Sequence, residues 1–204
     1  MAFTYFFRDM QTLEMIQDHA VPLLRTRRYI HIWDAGCAMG PEPYSLAIIL
    51  KENMGSMIFR NVKIHATDID NSNLFADIIR KGEYPEENLK RIPRDIFEKY
   101  FEKVEKPDHF RVIADIRKRI FYQKHDLLEL RPIRKDLLLI VCKNVLLHFK
   151  QEERVEVIRM FYDALEDGGF FVTEQTQKLP PEFEGLFEPV VSNARLFRKL
   201  EHTA

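Results

Sequence analysis

A glycine-containing loop between a strand-like run and a helical pattern is the feature that most constrains the fold of this chain. The run Tyr29–Trp33 is largely apolar and is followed by Asp34, the loop extends from Gly36 to Gly40, and a helical pattern follows from Pro43. Glycine accepts positive φ and lets the backbone approach a ligand closely, and a helix N-terminus presents free N–H groups. Asp34 can hold the loop or accept a hydrogen bond from the ligand. The segment indicates a nucleotide-binding turn, although its Gly-x-x-x-Gly spacing differs from the dinucleotide fingerprint Gly-x-Gly-x-x-Gly.

Polar residues also follow three further strand-like runs. Asp68 stands where a carboxylate can bind the two hydroxyls of a nucleotide ribose; it could instead cap the next helix, but Asp70 suits that role better. Asp126 either forms a turn or accepts a hydrogen bond from the exocyclic amino group of an adenine. Asn144 either satisfies backbone groups at the end of its strand or faces a ligand.

Hydrophobic periodicity predicts alternating helices and strands. The predicted helices span 9–25, 43 to about 54, 72–81 and 151–166, and the predicted strands span 29–34, 62–68, 119–124, 137–142 and 170–174. Asp167–Gly169 supplies glycines for the end of the last helix. The segments 187–191 and 195–200 predict an antiparallel pair at the sheet edge. The pattern predicts an α/β fold with a doubly wound parallel sheet, whose ligand crevice lies at the carboxyl ends of the strands.

Residues 83–118 interrupt this alternation. The segment is highly charged, contains three prolines and carries interleaved aromatic residues, which are Tyr84, Phe97, Tyr100, Phe101 and Phe110. We expect a small inserted subdomain that docks a partner protein. The basic cluster Arg117–Arg119, at the end of this segment, is either a solvated face or a surface for an acidic partner helix.

The charge balance limits the classes of partner. The 204 residues include 31 Lys and Arg against 32 Asp and Glu, so no overall field attracts nucleic acid or a membrane. The 46% of hydrophobic residues suffice for the core of one domain. The two cysteines lack zinc-site spacing, and we expect no bound metal. The sequence shows neither a signal peptide nor an apolar run of bilayer length, which leads us to expect a cytoplasmic protein.

Six segments, in order along the chain, resemble the CheR-type chemotaxis receptor methyltransferases, and the resemblance covers nearly the whole chain. The segments are Thr4–Arg8, Ala35–Ser45, Ala66–Asp70, Lys99–Phe101, Asp126–Leu128 and Cys142–Phe149. The first resembles the family's Thr-x-Phe-Phe-Arg, the second its Ala-Gly-Cys-Ser-Thr-Gly-Glu-Glu-Pro-Tyr-Ser, and the last its Cys-Arg-Asn-Val-Leu-Ile-Tyr-Phe.

The resemblance implies a Rossmann-like class I methyltransferase that uses S-adenosylmethionine, releases S-adenosylhomocysteine and esterifies glutamate side chains of chemotaxis receptors. The candidate cofactor-binding residues are Thr4, Arg8, Asp34, Gly36, Gly40, Glu42, Asp68, Asp126, Leu127 and Asn144. Arg8 is also the candidate catalytic residue, because a guanidinium can hold the acceptor carboxylate through two parallel hydrogen bonds. This chemistry has no obvious proton to move, so we expect His125 and His148 to be packing or surface residues.

The chain departs from the family pattern at several positions. The changed residues are Ala2, Ala38, Met39, Pro41, Lys143, His148 and the segment 174–177. Because the sequence starts just before Thr4, we also expect the family's N-terminal helical domain to be missing. These changes motivate an alternative, a noncatalytic S-adenosylmethionine-binding sensor or interaction module. A nicotinamide-dependent oxidoreductase is disfavoured because the dinucleotide fingerprint is missing.

Overall fold

The computed structural model describes residues 4–174, 178–191 and 196–201. The strands are β1 Ile30–Ala35, β2 Val62–Asp68, β3 Glu83–Pro85, β4 Phe101–Lys103, β5 His109–Val112, β6 Ile120–Lys124, β7 Leu137–Cys142, β8 Leu165–Thr173, β9 Phe187–Pro189 and β10 Leu196–Lys199. The helices are α1 Met10–Met15, α2 Val21–Leu24, α3 Pro41–Met54, α4 Ser56–Phe59, α5 Phe75–Lys81, α6 Arg94–Tyr100, α7 Ala114–Arg117 and α8 Gln151–Ala164. A π-helical turn, Ile16–Ala20, joins α1 to α2, so the predicted N-terminal helix is continuous.

The main sheet confirms the predicted α/β architecture. Its seven strands lie in the order β6-β2-β1-β7-β8-β10-β9. The pairs among β6, β2, β1, β7 and β8 are parallel, and β10 is antiparallel to both β8 and β9. The strand order reverses direction between β1 and β7, which is the place where a doubly wound sheet opens a ligand crevice.

β7 forms the centre of the core, as its unbroken apolar sequence predicts. All six of its residues are buried. It pairs with β1 through Ile32 and Leu139 and with β8 through Ile140 and Phe171. A parallel strand covered on both faces can carry apolar side chains in both directions.

Two predicted helix starts were wrong by two or three residues. α3 begins at Pro41, not at Pro43, because Gly40 takes φ 101° at the N-cap and Pro41 suits the first helical position. α5 begins at Phe75, not at Ser72, because the Asp70 carboxylate accepts hydrogen bonds from the N–H groups of Leu74 and Phe75. Asp70 therefore binds the N-terminus of α5 as the sequence predicts, although the N-cap residue itself is Leu74.

The predicted end of the last helix was also wrong. α8 ends at Ala164, and Asp167–Gly169 lies inside β8. Leu137 pairs with Leu165 while Leu139 pairs with Phe170, so β8 carries additional residues that bulge out of the ladder. Gly168 accommodates this bulge with φ 76°.

The segment 83–118 forms a second, antiparallel sheet in the order β3-β5-β4. Its aromatic residues do not form a separate core, because they pack into the main one. The Phe6 ring makes edge contacts with Tyr84 and Phe101, with centroids 5.0 and 5.4 Å apart. Tyr100 donates a hydrogen bond to Glu52 of α3. The insertion is thus fused to the N-terminal segment and to α3.

The tail forms the predicted antiparallel pair from β9 and β10, although part of the predicted segment, 192–195, lies outside the described residues. Ala2 and the changed residues 175–177 also lie outside them. Across the described residues, no helix is long and apolar enough to cross a membrane.

Candidate functional site

A cavity of about 500 Å³ opens at the carboxyl ends of β1, β2, β6 and β7. Eight of the ten predicted cofactor residues line it, which are Thr4, Arg8, Gly36, Glu42, Asp68, Asp126, Leu127 and Asn144. Asp34 and Gly40 are not on its wall. The volume lies within the range of small-molecule and cofactor sites, roughly 300 to 1,000 Å³.

Gly36 allows the loop after β1 to turn beneath the cavity. Its φ is 103°, and its N–H donates to Thr67 O over 2.7 Å. A Cβ atom at this position would lie 2.1 Å from Cγ2 of Val145. Both the backbone conformation and the available space therefore require glycine here.

Gly40 lies behind the wall of the cavity, where it packs against other residues. A Cβ atom there would lie 2.7 Å from the Tyr84 hydroxyl and 2.9 Å from Cγ1 of Ile79. The Tyr84 hydroxyl donates to Met39 O over 2.7 Å, so the inserted subdomain supports the loop from behind.

Asp68 holds the opposite side of the loop. Its Oδ2 accepts from the Ala38 N–H over 2.9 Å, and its Oδ1 accepts from the Asp70 N–H over 3.1 Å. The carboxylate lines the cavity and retains acceptor lone pairs, because each oxygen can accept two hydrogen bonds. These contacts fix the orientation of the carboxylate at the cavity wall.

Asp126 forms the turn that was one of its two predicted roles. Its Oδ1 accepts from the Leu128 N–H over 2.9 Å and caps the short 3₁₀ turn Leu127–Glu129. Leu127 is buried and Leu128 is exposed, and both line the cavity. The turn therefore presents a carboxylate and two apolar side chains at one wall.

Arg8 reaches the cavity from the N-terminal segment. Its Nη2 donates to Asn144 Oδ1 over 3.4 Å. Asn144 has φ 58°, and its N–H donates to Glu174 Oε2 over 3.1 Å. The Phe7 N–H donates to Ser45 Oγ over 2.8 Å, which ties the segment to α3. The segment that carries Arg8 is thus fastened at the carboxyl edge of the sheet.

Lys143 is a functional candidate that sequence reasoning did not identify. Its side chain is only 3% exposed, and Nζ lies 3.2 Å from Glu42 Oε2 and 3.4 Å from Asp9 Oδ2. Burial lowers the pKa of Lys143, but the Glu42 and Asp9 carboxylates outweigh that effect and raise it above its usual range. The only signal in the sequence was its place beside Asn144 in the last family-like segment.

Asp34 lies under the cavity and not on its wall. It is fully buried, and neither carboxylate oxygen has a hydrogen-bond partner among the described residues. Burial, reinforced by the neighbouring Glu42 carboxylate, raises the pKa of Asp34 well above its usual range. The nearby Lys143 acts in the opposite direction.

Two histidines also line the cavity, which the sequence did not predict. Partial burial lowers the pKa of His125, whose ring centroid lies 5.8 Å from that of Trp33. His148 is exposed at the mouth. No cluster of three or more His, Cys, Asp and Glu side chains that could bind a metal occurs in residues 4–174, 178–191 and 196–201.

The charges of the wall fit the functional groups of S-adenosylmethionine. Glu42, Asp68 and Asp126 offer acceptors for an amino group and for ribose hydroxyls. The glycine at position 36 lets the backbone approach a ligand.

The main sheet has the strand order of a class I methyltransferase fold, in which an antiparallel strand, here β10, lies between β8 and β9. Among solved structures, PKMT2 from Rickettsia typhi is similar in fold, with a TM-score of 0.50 at 13% identity over 85% of this chain and 26% of that chain.

The chain belongs to the CheR methyltransferase family: the model of the "CheR methyltransferase, SAM binding domain" matches residues 2–195. A chemotaxis protein methyltransferase of Listeria innocua is 33% identical, and the alignment covers 89% of this chain and 67% of that protein. One of Borreliella burgdorferi is 30% identical, with coverages of 86% and 64%. The chain thus spans about two thirds of the length of these relatives.

Membership of this family confirms the predicted enzyme class, an S-adenosylmethionine-dependent methyltransferase, and with it the cofactor. It does not favour the noncatalytic module that was the predicted alternative.

Proposed function

We propose that this protein methylates glutamate side chains of chemotaxis receptor proteins. The names of its relatives support the receptor as the class of substrate. The observation that carries the proposal is the position of Arg8, which joins Asn144 at the mouth of a cavity that fits the cofactor.

The predicted site residues have complementary roles in this proposal. Asp68 accepts hydrogen bonds from the ribose hydroxyls, Asp126 accepts from the adenine amino group, and Leu127 packs against the base. Thr4, Glu42 and Asn144 complete the wall around the remaining polar groups. Gly36 shapes the wall, whereas Asp34 and Gly40 act from behind it, through burial beside Glu42 and through the N-cap of α3. When bound, S-adenosylmethionine supplies a methyl group activated by a positively charged sulfur.

Arg8 serves the acceptor. A glutamate side chain is already ionised near neutral pH, so its oxygen needs no general base to become a nucleophile. It does need to lose water and to be held in line with the methyl group. A guanidinium at the mouth offsets the cost of desolvating the carboxylate and fixes its orientation through two hydrogen bonds.

The inserted subdomain is the proposed docking surface for the receptor. It carries many charged side chains on a sheet that is fused to α3 and to the segment of Arg8. A receptor bound there would be held by the same body that forms the cavity. We also propose that the protein acts in the cytoplasm, where its two free, buried cysteines remain reduced.

A methyl-transfer assay tests the proposal. Purified protein, radiolabelled S-adenosylmethionine and a cytoplasmic receptor fragment should give a labelled fragment that loses its label as methanol in mild base, as a carboxyl ester does. The matched control is the same fragment with its acceptor glutamates changed to glutamine, which cannot form the ester. Tight cofactor binding without any labelling of verified receptor fragments would contradict the proposal and support a noncatalytic module.

A further inference from the structure

A second groove, on the outer side of the main sheet, has no part in the cofactor cavity. It has a volume of about 540 Å³ and lies between α5, α7 and β6. Ala76, Ile79 and Ile120 contribute apolar surface, while Arg80, Arg117 and Lys118 contribute charge. We propose that this groove binds an extended acidic segment of the protein substrate, an inference that rests on the proposed function.

The charge of the groove has a single sign. Three cations line it and no carboxylate does. Arg80 pairs with Asp77 on its own helix, over 2.5 Å. Arg117 uses Nε to donate to Val112 O over 2.9 Å, and within the described part of the chain neither Arg117 nor Lys118 has a carboxylate partner. Two cations that are not neutralised locally favour an anionic ligand.

The shape of the groove indicates an extended ligand. Three consecutive residues of β6, Ile120–Tyr122, line it, although successive strand side chains point to opposite faces. The groove therefore runs along the edge of the strand. β6 pairs with β2 on one side and is the outermost strand of the described sheet on the other. The N–H and C=O groups of such an edge can pair with an extended peptide.

The composition of the groove distinguishes a peptide from a small anion. A small anion would use the cations and leave the apolar floor and the half-exposed Phe121 ring without a role. A peptide that alternates carboxylates with apolar side chains would use both surfaces.

The groove is connected to the cofactor cavity through a short chain of hydrogen bonds. The Tyr122 hydroxyl donates to Asp70 Oδ2 over 3.2 Å, and the Asp70 N–H donates to Asp68 Oδ1. Asp68 lines the cavity. Ile69 and Leu74 are exposed in the same loop, 48% and 58%, and offer apolar surface for the part of the substrate between groove and mouth.

The test uses charge reversal with a matched control. Lys118→Glu with Arg80→Glu reverses two exposed cations of the groove. Lys90→Glu with Lys135→Glu makes the same change in net charge at exposed positions that do not line it. The probe is a fluorescent hexapeptide of alternating Glu and Ile, and its counterpart replaces Glu by Lys.

We expect the Glu-Ile peptide to bind the wild type and the control variant and to bind the groove variant about tenfold more weakly, as the loss of two exposed ion pairs implies. The Lys-Ile peptide should not bind. Amide NMR shifts induced by the Glu-Ile peptide should include Ile120–Tyr122. For receptor methylation, the groove variant should raise KM at unchanged S-adenosylhomocysteine affinity.

Three results would overturn the inference: equal peptide affinity in the two variants, peptide-induced NMR shifts that omit β6, or inorganic phosphate that binds the groove when the peptide does not. The last result would make the groove a small-anion site. Failure of the wild type to methylate any receptor fragment, with peptide binding still lost in the groove variant, would overturn the proposed function and support the groove as an acidic-peptide site.

Discussion

Lys143 Nζ lies 3.2 Å from Glu42 Oε2, so that a buried cation just past the end of β7 is joined to the first turn of α3. The same ammonium group lies 3.4 Å from Asp9, which caps α1. One side chain thereby connects the three segments that supply Arg8, Glu42 and Asn144 to the cavity.

Replacing Lys143 with Met should destabilise the protein by about 3 kcal/mol, because two carboxylates then lose their shared buried cation. Urea unfolding followed by circular dichroism measures this. Lys143→Arg, which keeps the charge, is the matched control and should cost less. Equal stability of the wild type and the Met variant would show that the ion pair contributes nothing.

Arg8→Lys should reduce methyl transfer by roughly 10- to 100-fold at saturating cofactor, since it keeps the charge but removes the bidentate geometry. S-adenosylhomocysteine affinity, measured by calorimetry, should change little. Arg60→Lys, at an exposed position away from the cavity, is the control. A wild-type rate in Arg8→Lys would show that two parallel hydrogen bonds from Arg8 to the acceptor carboxylate are not required.

Asp68→Ala should weaken S-adenosylhomocysteine binding by about 1 to 3 kcal/mol, through lost hydrogen bonds to a charged acceptor. It should also loosen the loop, because Asp68 accepts from the Ala38 N–H. Asp70→Ala is the control: it removes the carboxylate that accepts from the N–H groups of Leu74 and Phe75 at the start of α5, and it should lower stability with little effect on affinity. Unchanged affinity in calorimetry would remove Asp68 from the site.

Gly36→Ala should abolish cofactor binding, because the new methyl group would lie 2.1 Å from Val145 and φ is 103°. Gly55→Ala is a control that separates the effect of backbone strain from that of the steric clash with Val145. Gly55 has φ 74° and ψ 157° but nothing within 4 Å of the new methyl group, so this control should cost roughly 1 to 3 kcal/mol of stability through backbone strain alone. Calorimetric titration of both variants with S-adenosylhomocysteine is the measurement. Retained binding in Gly36→Ala would show that the cofactor site does not require glycine at this position.

His65 should make the protein less stable in mild acid. Burial, together with His31 and nearby cations, lowers the pKa of His65 from 6.5 to about 4. Its ring lies 3.2 Å from that of His31, between Nε2 and Nδ1. Because the pKa of His65 is lower in the folded protein, the unfolded chain takes up the proton first as the pH falls. The free energy of unfolding is therefore highest above pH 6.5 and decreases as the pH falls toward 4.

We expect a loss of roughly 2 kcal/mol over this range, less than the full shift would imply because the ring is partly exposed. Urea unfolding between pH 7 and 4 measures it. His65→Gln should flatten the profile, whereas His19→Gln should not. Parallel pH profiles for the wild type and His65→Gln would rule out this origin.

Local sequence patterns were sufficient to predict most of the fold. The bounds of β2 and β7 were predicted to the residue, because alternation and unbroken apolar runs are local properties of the sequence. The starts of α3 and α5 were misplaced by two or three residues, because they depend on the conformation of Gly40 and on the side chain of Asp70. The glycines at 168 and 169 were assigned to a helix end, because a glycine pair serves equally in a cap and in a bulge.

The sequence by itself determined the order of the strands along the chain, the loop at Gly36 and most of the residues on the cavity wall, since strand ends in a parallel sheet converge on one edge. Only the tertiary structure placed Asp34 beneath the wall, joined Lys143 to Asp9 and Glu42, and fused the inserted subdomain to the core through Phe6. The partners in these contacts are distant in sequence. Burial and ion pairing depend on which segments meet in space, and local periodicity carries no information about that.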